Sequence, residues 1–139
     1  MSMSNNNLRI LLILLDGFLS LTAIAGGIGL LTGTNTPPVS FLAGSPFPDY
    51  TIPGLALLVL VGGTALVATY LTIRHHRYAA LVSVLAGAMI IVFEIVEVLA
   101  IGMPPGIARN LQVFYFTLGL IILVLALAYW TVQRRASPA

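Results

Sequence analysis

Residues 78–102 read YAALVSVLAGAMIIVFEIVEVLAIG. Glu94 and Glu97 are its only formally charged side chains, and no proline interrupts it. As a helix, about 23 such residues rising 1.5 Å each cover about 35 Å, enough to cross a hydrocarbon core of about 30 Å with some tilt. A membrane β-strand would instead show a ten-residue alternating pattern, which the stretch lacks. It reads as a transmembrane helix.

Three more runs of the same kind flank it, at 8–32, 51–73 and 107–132. The expected fold is all-α: a polytopic membrane protein, a four-helix transmembrane bundle forming one domain over residues 1–139. Composition agrees, with 59% hydrophobic and 7% charged residues, where a soluble domain carries about a quarter charged. Residues 1–7 (MSMSNNN) are polar and expected to lie outside the first helix. A cleaved leader would use Arg9 and the Ala23-Ile24-Ala25 stretch, but Asp16 interrupts its apolar core and the hydrophobic run continues to Leu31. A retained span is the better reading.

The arginines set the orientation. Arg9, Arg74, Arg77, Arg134 and Arg135 fall at one end of a four-span topology, and Arg109 alone at the other. Positive residues concentrate on the cytoplasmic side, so both termini are expected there. The net charge of +2 gives no reason to expect a nucleic-acid partner. RHHR (74–77) and MPPG (103–106) are short turns, making spans two and three, and spans three and four, antiparallel neighbours. The only long connection, residues 33–50, carries Pro37, Pro38, Pro46 and Pro48 among Phe41, Leu42, Phe47 and Tyr50. A rigid apolar loop of this kind is expected to fold over the outer mouth of the bundle, with Ser45, Phe47, Asp49 and Tyr50 as candidate binding positions.

The segments GSPFPDYTIPGL (44–55), VGG (61–63), EVLAIG (97–102) and LQVFYFTLG (111–119) together resemble a widespread group of small four-span bacterial membrane proteins of uncharacterised activity. The resemblance implies residence in a bacterial cytoplasmic (inner) membrane and carries no activity or site with it. Asp16 and the RHHR turn depart from that pattern.

Charged side chains in lipid are costly, about 2.5–3.5 kcal/mol at a helix centre, so Asp16, Glu94 and Glu97 are the informative residues. Glu94 and Glu97 share a helix face, and Gly87 and Ser83 extend it as a small, polar stripe expected to point inward. Span four runs back past the same depth and offers Arg109, Gln112 and Tyr115. An Arg109–Glu97 ion pair with Gln112 and Tyr115 as hydrogen-bond partners is the expected arrangement, leaving Glu94 deeper and neutral. Asp16 is expected to bond to span two, near Thr64 or Ala68. Gly26, Gly27 and Gly29, with Gly62 and Gly63, suit close packing of spans one and two.

Several chemistries lack their residues. There is no cysteine, which removes thiol–disulfide exchange and thiolate catalysis. His75 and His76 are the only histidines and both occupy the RHHR turn. An intramembrane haem ligand, a Glu-x-x-His di-iron pair and a Ser–His–Asp triad are all missing, so no catalytic residues, metal or cofactor are expected. The first functional reading is a non-enzymatic membrane protein, either an accessory subunit of other membrane subunits or a self-associating bundle in contact with lipid. The alternative is a protein that binds or transports a small molecule, lipid or ion at a polar site of Glu94, Glu97, Arg109, Gln112, Tyr115 and Asp16. A lipid-acting enzyme ranks third.

A reporter fused after Ala139 should read cytoplasmic, and one inserted between Thr34 and Pro38 should read external; a C-terminus on the external side would refute the arginine argument.

Overall fold

With no water available in hydrocarbon, backbone amides and carbonyls must pair within the chain, and each apolar run has become a helix. The computed structural model describes residues 4–34 and 36–136. It contains α1 (Asn5–Thr32), α2 (Thr51–Ile73), α3 (Ala79–Ile101) and α4 (Ile107–Ala136), packed as a bundle. All four are long and apolar enough to cross a membrane. The protein is a multi-pass, all-α membrane protein.

The helix boundaries follow local chemistry, with three departures from the sequence reading. α1 begins at Asn5, within the stretch expected to lie outside it, because the Ser4 hydroxyl accepts a hydrogen bond from the Asn7 amide at 3.1 Å. Residues 1–3 lie outside the described chain. α4 continues past Val132 to Ala136, with Arg134 and Arg135 in its last turn, where positive charge complements the helix dipole. α2 is π-helical over Ala56–Gly63, a wider winding that a hydropathy pattern cannot reveal.

Two tight helix pairs make up the bundle. α1 lies on α2 where glycines let the backbones meet: a Cβ on Gly27 would fall 2.7 Å from Leu58 Cβ and 2.9 Å from Gly54 O, and one on Gly62 would fall 2.8 Å from Ile24 Cγ1. This is the close packing expected of spans one and two, although Gly63 has no neighbour that a Cβ would meet. α3 lies on α4 where Gly87 faces Gly119. A Cβ on Gly87 would stand 2.9 Å from Leu123 N and 3.0 Å from Gly119 O.

The chain trace brings Arg9, Arg74, Arg77, Arg134 and Arg135 to one end of the bundle, here the arginine end, and loop 33–50 to the other. The core is built from Leu8, Leu12, Leu19 and Ala23 of α1, Val61, Ala65 and Ala68 of α2, Ala79, Ala80, Ala86 and Ile90 of α3, and Leu118, Ile122, Ala126 and Tyr129 of α4. Arg9 ties α1 to α2 by donating to the last carbonyls of α2, from Nε to Thr72 O at 2.9 Å and from Nη2 to Ile73 O at 3.1 Å. Arg74 lies over the Tyr70 ring at 5.8 Å and Arg77 over the Tyr78 ring at 4.7 Å, contacts suited to the membrane boundary. Apolar side chains such as Leu14, Leu21, Leu99, Ile107 and Val124 are exposed around the outside and meet lipid.

Gly87→Ala should destabilise the protein in detergent by about 1–3 kcal/mol, as overpacking does, since backbone rather than a flexible side chain lies in the way. Gly63→Ala, which meets nothing, should leave the unfolding midpoint within error; equal losses in the two variants would refute the Gly87–Gly119 contact as the constraint.

Candidate functional site

Toward the loop end the two helix pairs separate, and two cavities lie between them. The first, about 200 Å³, sits between α2 and α3 under the loop, walled by Leu42, Phe47, Tyr50, Leu60, Val96 and Ile101 among others. The second, about 650 Å³, reaches from α1 to α4 and is walled by Ala23, Phe41, Glu94, Ala108, Leu111 and Tyr115 among others. Leu30, Pro37, Phe93 and Glu97 line both. Glu97 therefore stands where the cavities adjoin, and Glu94 lines the larger one. The loop closes over them: Val39–Leu42 forms a 3-10 turn, Leu42 and Tyr50 are buried, and the Tyr50 hydroxyl donates to Pro38 O at 3.1 Å.

Glu94 and Glu97 are neighbours one turn apart on α3, with the Gln112 side chain near Glu97. Gln112 is only 3% exposed, and its Nε2 donates to Gly102 O at 2.9 Å, which leaves its Oε1 buried without a partner. Glu94 is 5% exposed, and its Oε2 is likewise without a partner. Tyr115 shares the cavity wall with both glutamates, its ring meeting Phe114 edge-on at 5.0 Å. Glu94, Glu97 and Tyr115 thus share one wall and Gln112 lies near Glu97, but Gln112 donates to Gly102 O, and among the described residues no hydrogen bond joins Tyr115 to either glutamate.

Arg109 does not join them as expected. It is exposed, and its Nε and Nη2 donate to Met103 O at 3.3 and 2.9 Å, capping the end of the preceding turn rather than pairing with Glu97. The reason is proximity: Arg109 sits in the first turn of α4, directly after the MPPG connection, and a carbonyl of that connection is closer at hand than a carboxyl inside the bundle.

Asp16 also finds a different partner. Its Oδ2 accepts from the Ser83 hydroxyl at 2.5 Å, across to α3 instead of α2. Both residues are fully buried, and Asp16 Oδ1 has no partner. The expected span-two hydroxyl is engaged elsewhere, since Thr64 donates back to Leu60 O within its own helix. Of the inward stripe of α3, Ser83, Gly87 and Glu94 are buried and Glu97 is partly exposed, and Asp16 uses the arginine-side end of the stripe.

Of the loop positions, Ser45 and Asp49 shape the chain. The Ser45 hydroxyl donates to Leu42 O at 2.7 Å and accepts from Phe47 N at 3.2 Å. Asp49 accepts from Thr51 N at 3.0 Å, and that bond holds its carboxyl below the usual carboxylate range. Phe47 and Tyr50 face the smaller cavity. Burial, and after it the nearby Glu97 carboxyl, push the Tyr50 phenol up. Leu30, Phe93 and the π-helical stretch of α2 were not singled out from sequence. They are apolar residues in apolar runs, and only the separation of the helix pairs gives them a cavity to line.

No protein-family model, curated protein or solved structure matches the chain.

Because Arg109 caps a turn and Glu97 faces the cavities, Glu97→Gln and Arg109→Gln should act independently. Their effects on detergent stability should add to within about 0.5 kcal/mol; a larger coupling energy in the double variant would restore the ion pair.

Proposed function

We propose that this protein is a non-enzymatic, membrane-embedded binding protein that holds a small lipophilic molecule in the cavities beneath loop 33–50. The observation that carries this reading is the pair of adjoining cavities meeting at Glu97. Elsewhere the chain packs small residues against one another, as membrane helices do to gain contact. Leaving apolar walls apart at the loop end forfeits that contact, so an occupant that restores it accounts for the separation. Apolar walls with a few convergent polar groups are what small-molecule sites generally present. The bundle reads as one membrane domain in a bacterial cytoplasmic membrane with both termini inside, supported by the five arginines at one end. Loop and cavities then face the external half of the bilayer. An accessory-subunit role rests on no comparable feature, because lipid already accounts for the exposed apolar faces.

The test is to fill the space. Protein purified from native membrane into nanodiscs should retain a small lipophilic compound detectable by native mass spectrometry. Ala108→Trp should lower that retention several-fold without changing the helical circular dichroism. Equal retention in parent and variant would overturn the cavity as the binding site.

A further inference from the structure

We infer that the occupant is a lipophilic cation bearing N–H groups, a protonated amine with an apolar body, seated with its nitrogen at Glu94 and Glu97. This deepens the binding reading above and rests on it.

The ionisable groups at the site are acceptors. Glu97 lines both cavities and Glu94 the larger one, and Glu94 Oε2 has no partner, an arrangement that is costly unless something donates to it. Most donors nearby are already engaged, and the Tyr115 hydroxyl on the wall of the larger cavity is a neutral one. Gln112 Nε2 is held by Gly102 O, the Tyr50 hydroxyl by Pro38 O, the Thr22 hydroxyl by Phe18 O, and the Arg109 guanidinium by Met103 O. No arginine or histidine lines either cavity among the described residues. What the site lacks is positive charge and N–H hydrogen, and an ammonium supplies both. Aromatic rings of Phe41, Phe93 and Tyr115 line the larger cavity and offer faces to a cation. A bare metal ion fits less well, because a hard cation asks for six or more oxygens and the walls are mainly apolar. An anion would meet two carboxyls, with no arginine or histidine on the walls among the described residues to receive it.

The test uses the full-length protein in nanodiscs and three probes with the same twelve-carbon chain: dodecylamine, dodecanol and dodecanoate. Binding is measured as labelled probe retained above that of empty discs. Dodecylamine should bind roughly tenfold or more tightly than dodecanol, as expected for charge-assisted hydrogen bonds, and dodecanoate most weakly. Glu97→Gln and Glu94→Gln should each bring dodecylamine affinity down toward that of dodecanol, while dodecanol binding in the same samples reports that the cavity is intact. Equal binding of amine and alcohol by the parent, or an amine preference that survives both substitutions, would overturn the cation assignment and leave the cavity reading standing. Retention of none of the three probes would overturn both.

Discussion

The hydrogen bond from Ser83 to Asp16, at 2.5 Å in the interior of the bundle, joins the two helix pairs to each other. α1 and α2 hold together through Gly27 and Gly62, and α3 and α4 through Gly87 and Gly119; Asp16 and Ser83 connect α1 to α3. A carboxyl without this hydroxyl would have both oxygens buried and unpartnered, the most expensive arrangement a polar group can adopt in a dry interior. The Asp16–Ser83 bond stands beside the packing of α2 on α3 and of α1 on α4, which also join the pairs.

The division of the bundle follows from what each half contains. On the arginine side, the positions between helices are alanine, serine and glycine, notably Ala65, Ala68, Ala79, Ala80, Ser83, Ala86 and Gly87, small enough for backbones to come close. On the loop side the same face of α3 carries Phe93, Glu94 and Glu97, while α2 widens into its π-helical stretch. Small residues such as Ala23, Gly26 and Ala108 stand across the larger cavity from them and leave space unfilled. The loop covers that space through Leu42, Phe47 and Tyr50. The binding reading and the preference for a cation both rest on this space and on the glutamates that line it.

Polar side chains in such a protein have two fates. Some are used within their own segment: Thr22, Thr69 and Thr131 donate to carbonyls of the preceding turn, and Ser45 and Asp49 shape the loop. Others cross between elements: Arg9 to α2, Ser83 to Asp16, and Gln112 to Gly102 at the end of α3. The crossing bonds position the bundle. Arg109 belongs to the first group despite its solitary charge at the loop end.

Much of the architecture is legible in the residues alone. The length and apolarity of four runs determine four helices, because hydrocarbon leaves the backbone no other way to pair; the short RHHR and MPPG turns determine that neighbours are antiparallel. The three-residue spacing of Glu94 and Glu97 places them on one face, and equal depth brings Gln112 near Glu97. Tertiary structure decided what periodicity does not encode: which of several hydroxyls reaches Asp16, whether Arg109 turns to a carbonyl or a carboxyl, and where apolar walls fail to meet. An apolar sequence specifies that a residue avoids water but says little about which apolar neighbour it touches. The cavities therefore exist only at the level of packed helices.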